Sequence, residues 1–159
     1  HLPAHITDLG FSSVQAGYVI MIYSLVAAVA QIIGGYFGDK YTKKYVLSIF
    51  LVFQSLSLFI LSFIKNIYGI IIFSICYGIG FGGRNPLLTS IRGDYFDRAN
   101  FATLFGISGI VINIGTVLSP VLSGYLFDLK GDYTLAFIVL GILAIIGSVL
   151  SILLPKKNY

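Results

Sequence analysis

The sequence contains no glutamate, a single cysteine and only two histidines among its 159 residues. Charged residues make up 10% of it and hydrophobic residues 57%, whereas a soluble domain carries about 25% charged residues. Each scarcity excludes something. One cysteine, Cys76, forms no internal disulfide, and it falls in an apolar run where packing is its expected use. No Cys/His cluster has ligand spacing, so neither a metal nor any other cofactor is expected. No nucleophile–base pair or phosphate-binding loop is visible, so an enzyme is not expected. The net charge is +4, but the basic residues are dispersed between apolar runs. They form no stripe that tracks phosphates, which argues against nucleic acid as a partner. The opening stretch, HLPAHITDLG, lacks the basic and apolar regions of a secretory signal. The first residue is not Met, and the chain is expected to be a piece of a longer one.

What is present is a series of apolar runs. A membrane-crossing helix needs about 20 consecutive apolar residues, and five such runs occur. Helix A is expected over about 17–37, B over 45–64, C over 68–91, D over 101–127 and E over 133–154. Residues 1–16 read as an outer loop and 155–159 as a cytoplasmic tail. The expected fold is an all-α membrane protein. A very short turn at Lys65-Asn66 makes B and C antiparallel neighbours.

Loop charge orients the set. Lys40, Lys43 and Lys44 lie between A and B, Arg92 and Arg98 between C and D, and Lys156 and Lys157 in the tail. The opposite side has only Lys65 and Lys130. By the positive-inside rule the fragment starts outside and ends in the cytoplasm. An odd number of spans starting outside points to one preceding helix, giving a six-helix unit of the kind that builds secondary transporters.

Three stretches resemble one family. GYFGDKYTKK, with Gly35, Asp39, Lys40, Lys43 and Lys44, resembles the acidic–basic loop of the major facilitator superfamily, with Thr42 where that loop usually has Gly. SPVLSGYLFDLKGDYTLAF is similar to the stretch joining the last two helices in the monocarboxylate and oxalate/formate antiporter branch. HLPAHITDLGFSSVQAG resembles the outer loop before that branch's eighth helix. The resemblance covers essentially the whole chain. It implies that A to E are helices eight to twelve of twelve, with the N-terminal half of the same chain as their partner. It further implies a multi-pass plasma-membrane transporter working by alternating access.

The charged loops carry two readings. Asp39, with Lys40, Lys43 and Lys44, could meet a helix N-terminus, lipid or a partner carboxylate and so latch one state of a rocking protein. Alternatively these charges only hold the loop inside. Arg92, Asp94, Asp97 and Arg98 invite the same pair of readings. The glycines of A, C and D are expected to let helices approach closely. A hinge at Gly80 to Gly83, beside Pro86, is the other use for that cluster. Ser24, Ala28, Gln31 and Gly35 share one face of A, and Gly109, Asn113, Thr116 and Pro120 one face of D. Polar groups in lipid need partners, so both faces should point inward, toward helices or a water-filled path. Helix E, with only Ser148 and Ser151, reads as peripheral and lipid-facing.

Arg84 stands out within helix C. It lies roughly 24 Å into a hydrocarbon core about 30 Å thick, at a cost of about 3 kcal/mol or more on insertion scales. Such a charge must be paired or face water. Either it snorkels or pairs structurally, or its donor fork binds an anionic substrate such as a carboxylate. Tyr77, on the same face, joins Gln31 and Asn113 as a candidate substrate contact. No acidic residue falls within a span, so a proton-coupling group is not visible, and an exchanger or uniporter stays open. The leading expectation is a small organic-anion transporter. A carrier of a neutral or cationic metabolite or drug, or a non-transporting five-span subunit, are the alternatives.

Overall fold

A computed structural model describes residues 2–96 and 100–155. Six helices follow one another: α1 (Leu2–Asp8), α2 (Ser13–Lys40), α3 (Lys43–Phe63), α4 (Ile67–Tyr95), α5 (Phe101–Lys130) and α6 (Thr134–Leu153). No strand occurs among the described residues. The five from α2 to α6 are long and apolar enough to cross a membrane.

The helix ends are written locally. Ser12 opens α2 with a capping box: its Oγ accepts from Gln15 N at 3.2 Å while Gln15 Oε1 accepts from Ser12 N at 2.8 Å. Asn66 caps α4 by accepting from Gly69 N at 2.8 Å. Gly131 ends α5 in the left-handed region, φ 74°, where a side chain would be strained. Asp132 then accepts from Thr134 N at 3.1 Å at the start of α6. Several helices overrun the apolar spans that define them, α2 and α4 most clearly. Backbone hydrogen bonding does not stop where the hydrocarbon does, so polar residues extend helices into the interface. Within the stretch expected as an outer loop, 1–16, Leu2–Asp8 is helical and Ser13 already begins α2.

α4 is the central helix. α2 packs on one side of it, α3 on another, and α6 packs on α3. The α2–α4 seam is built from glycines: Gly34, Gly38, Gly78, Gly82 and Gly83 are all buried. A Cβ on Gly82 would lie 2.6 Å from Ala27 Cα, and one on Gly78 would lie 2.7 Å from Tyr23 O. Gly80 faces α3 instead, where a Cβ would lie 2.7 Å from Phe50 O. In lipid, where apolar burial drives little, such backbone approach is what binds helices. α4 runs as one helix through Gly80–Gly83 and Pro86.

The α3–α6 seam uses serine. Ser48 and Ser148 share a hydrogen bond of 2.7 Å, Ser55 donates to Gly141 O at 2.9 Å, and Ser151 donates to Lys44 O at 3.3 Å. α6 is peripheral as expected, packing on α3 and weakly on α5, but its two serines fasten it there. Both are buried against α3, and the lipid-facing side is the opposite one, with Ile146, Leu150 and Leu153 exposed. α5 stands apart. It packs chiefly on α6, and Ser123 is its one buried residue.

Candidate functional site

Because α5 stands off, a cavity of about 580 Å³ opens between it and α3, α4 and α6. The walls are mostly apolar: Leu51 and Leu58 from α3, Ile112 from α5, and Leu140, Leu143 and Ala144 from α6. Polar groups enter it from three helices. Arg84 and Tyr77 come from α4, Gln54 from α3, and Thr116 and Ser119 from α5.

α4 places Arg84 and Tyr77 together because seven residues make nearly two turns, which returns to the same face. The aromatic side chains of that face form a ladder. Phe73 and Tyr77 lie 5.3 Å apart, Tyr77 stacks on Phe81 at 5.8 Å with planes 12° apart, and the Arg84 guanidinium lies 5.1 Å from the Phe81 centroid. Tyr23 of α2 meets Tyr77 edge-on at 5.8 Å. A ring face offers a guanidinium partial compensation for lost water. It leaves the N–H donors unused: Arg84 Nε is buried without a hydrogen-bond partner, and Arg84 forms no ion pair among the described residues.

Gln54 was not among the residues singled out from the sequence. It is 9% exposed and lines the cavity, and its Oε1 is buried without a hydrogen-bond partner. A signal existed. The rule that drew attention to Gln31, an uncharged polar side chain within an apolar span, applies equally to Gln54.

The other candidates lie elsewhere. Gln31 is exposed on α2, about 60° round the helix from Gly34 of the seam that faces α4. Asn113 is exposed on α5 and does not line the cavity, though Thr116 and Pro120 of the same expected stripe do.

The charged loop residues gather at one end, in separate contacts. Lys43 Nζ pairs with Asp94 Oδ2 at 2.6 Å. Lys44 Nζ donates to Ile152 O at 2.9 Å and Leu154 O at 2.7 Å, satisfying carbonyls at the end of α6. Arg92 donates to Leu88 O at 3.1 Å and to Ser108 Oγ at 3.4 Å, and stacks 4.8 Å from the Phe105 centroid, tying α4 to α5. Tyr95 OH donates to Pro155 O. Lys40 lies over the rings of Tyr36 and Tyr41, and Asp39 is exposed with no ion pair among the described residues. Asp97, Arg98, Lys156 and Lys157 lie outside the described residues.

At the opposite end, α1 docks by His5, which is 4% exposed between the rings of Tyr133 and Phe137, at 5.6 and 4.9 Å. Burial lowers the His5 pKa, the Lys65 charge adds to that, and Asp8 and Asp132 oppose it. Lys65 Nζ lies 3.6 Å from Asp132 Oδ2, joining the α3–α4 and α5–α6 turns.

Comparison with known proteins bears on this arrangement. The chain is 26% identical over 157 residues to monocarboxylate transporter 13 of Rattus norvegicus, covering 98% of this chain and 37% of that protein. It is 29% identical over 158 residues to quinolone resistance protein NorA of Staphylococcus aureus strain MRSA252, covering 99% of this chain and 41% of that protein. The chain therefore spans about two fifths of the length of these relatives. The profile of the Major Facilitator Superfamily matches residues 2–158. With five apolar helices in one bundle and a match over nearly its whole length, the chain belongs to the major facilitator superfamily.

Proposed function

We propose that this chain forms the C-terminal half, less its first helix, of a secondary transporter that carries a small organic anion across the plasma membrane by alternating access. The observation that carries this reading is Arg84: a guanidinium within a membrane span, on the wall of a cavity, with a buried Nε that has no partner. A charge costing about 3 kcal/mol or more to insert is stabilised when a carboxylate completes its donor fork. Similarity to a monocarboxylate transporter supports the same substrate class. The N-terminal half would supply the other wall and any titrating acid, since no Asp lies within the apolar spans. Among the described loop charges on that end, Asp39 and Lys40 are left without an ion pair and exposed, and so are able to meet that half and latch it. The basic end of the bundle would face the cytoplasm.

The test is uptake of labelled monocarboxylate by the intact protein in proteoliposomes. Arg84→Gln should abolish uptake at unchanged membrane expression, and Arg84→Lys should recover only part, because it keeps the charge but loses the planar fork. Uptake by Arg84→Gln at near wild-type rate sinks the reading.

A second reading has its own support. The cavity wall is mostly apolar and the chain is similar to a quinolone resistance protein. A carrier of apolar drugs would use the leucine wall and keep Arg84 for structure. Inhibition of uptake by apolar neutral compounds but by no carboxylate would favour it.

A further inference from the structure

We propose that the cargo of the Arg84 cavity is an amphipathic carboxylate with a long apolar body, not a two- or three-carbon acid. This substrate class rests on the reading that Arg84 receives the carboxylate, and it specifies what the rest of the molecule must be. The cavity is elongated and carries its charge toward one end. Leu51 and Leu58 of α3, Tyr77 and Arg84 of α4, and Leu140 and Gly147 of α6 bound the lining of their helices. Each pair is seven residues apart, which is roughly 10 Å along a helix axis. On α5 the lining runs from Ile112 to Pro120, roughly 12 Å.

Successive helices alternate in direction, so these bounds fall at two levels. Leu51, Arg84, Ile112 and Gly147 share the level nearer the basic end of the bundle. A Cβ on Gly147 would lie 3.9 Å from Leu51 Cδ1, which fixes the match between α6 and α3. Away from that level, no charged residue other than Arg84 lines the cavity among the described residues. Leu58, Leu140, Leu143 and Ala144 present carbon there, and Thr116 turns its hydroxyl back to Ile112 O at 3.0 Å. A carboxylate held at Arg84 therefore has an apolar lane beside it for whatever it is attached to.

Volume agrees with length. A two- or three-carbon acid at Arg84 would leave most of the 580 Å³ to water, whereas clefts of about 300–1,000 Å³ take drug-sized ligands. Each methylene that displaces water from the leucine wall tightens binding about three- to four-fold. With C–C bonds of about 1.5 Å, a zigzag chain of about eight carbons reaches from Arg84 to the far level. Midway lies Gly115, which lines the cavity and on which a Cβ would meet nothing within 4 Å. A side chain there shortens the cavity without parting helices.

The experiment uses the intact protein in proteoliposomes. Uptake of a labelled short-chain monocarboxylate is competed by straight-chain acids from acetate to decanoate and by their methyl esters. The half-inhibiting concentration should fall about three- to four-fold per methylene up to about eight carbons and then level off. Each ester should inhibit about ten-fold or more less strongly than its acid. In Gly115→Leu the gain should stop near about five carbons, while shorter acids inhibit as before. Ala144→Phe fills the cavity from α6 and should do the same if Gly115→Leu disturbs α5. Chain length also raises partition into the bilayer, which neither variant alters. A gain that continues to the longest acids in both variants therefore overturns the long apolar body. So does equal inhibition at every length in the wild-type protein, and either result leaves Arg84 standing as an anion site. Esters that inhibit as strongly as their acids overturn the anion reading, and the substrate class falls with it.

Discussion

Gly34 of α2 and Gly83 of α4 hold their helices at backbone contact: a Cβ placed on Gly34 would lie 2.7 Å from Gly83 Cα and 2.8 Å from its carbonyl carbon. Backbone cannot rotate aside as a side chain can, so the helices themselves would have to part. Gly35, the next residue, has nothing within 4 Å of a Cβ. The two positions therefore make an internal control. Gly34→Ala should destabilise the intact protein by about 1–3 kcal/mol, read as a lowered midpoint of thermal unfolding in detergent. Gly35→Ala should leave the midpoint unchanged or raise it slightly, since alanine is the better helix former. Equal effects at both sites would show that the seam is not as tight as this packing requires.

The membrane architecture was legible in the sequence because lipid imposes a strong and simple rule: about 20 apolar residues make one span. Arg84 and Tyr77 were legible as a pair because seven residues bring a helix back to one face. What was not legible was which face of each helix meets which neighbour. Asn113 illustrates the limit. The part of α5 facing the cavity centres on Ile112, Thr116 and Ser119, and Asn113 lies about 100° round from Ile112, beyond Pro120 at the rim. The serines of α6 illustrate it again. Two serines in an apolar helix read as too few to matter, yet Ser148 and Ser151 are two of the points at which α6 is fastened to α3. A small polar residue carries little periodic signal. Its importance comes from the partner opposite, and only the fold supplies that partner.

The Ser48–Ser148 pair has a consequence for stability. Both residues are buried, and Ser148 Oγ also lies 3.2 Å from Ser48 O. Ser148→Ala removes one partner but leaves Ser48 able to turn to a helix carbonyl, so a loss of about 0.5–1.5 kcal/mol is expected. Ser148→Leu must displace α6 as well, and should cost more and loosen the outer face of the bundle. Cross-linking between cysteines introduced at Leu51 and Gly147, which sit near one another across this seam, would report the displacement. Unchanged cross-linking in Ser148→Leu would mean that α6 is held elsewhere.

Lys43 and Asp94 pair at 2.6 Å with side chains 22% and 19% exposed. Both belong to this bundle, so the pair braces α3 against α4, and a rigid rocking of the bundle would carry it along intact. Asp94→Asn should lower thermal stability by about 1 kcal/mol or less. The reversed pair, Lys43→Asp with Asp94→Lys, should recover part of the loss. Additivity of the two single substitutions in the double variant would show that the charges do not interact.

His5 makes the docking of α1 dependent on pH. Its ring is enclosed by Tyr133 and Phe137. The charges bearing on it are Lys65 from the α3–α4 turn, Asp132 from the α5–α6 turn and Asp8 from α1 itself. Burial comes first among the causes that lower its pKa, and Lys65 second. A lowered pKa means that docked α1 binds a proton less readily than undocked α1. Above the ordinary histidine value of about 6.5 both states are neutral and docking keeps its full strength. As pH falls below that value the undocked state takes up protons and the docked state does not, so docking weakens until the lowered pKa is passed. Hydrogen exchange of the α1 amides, corrected for intrinsic rates, should therefore be faster at about pH 5.5 than at about pH 7.5. His5→Phe fills the aromatic slot with a ring that cannot ionise and should abolish the difference while keeping α1 docked. If exchange in the wild-type protein is the same at both pH values, His5 does not control α1. If His5→Phe keeps the pH dependence, the titrating group is one of the carboxylates.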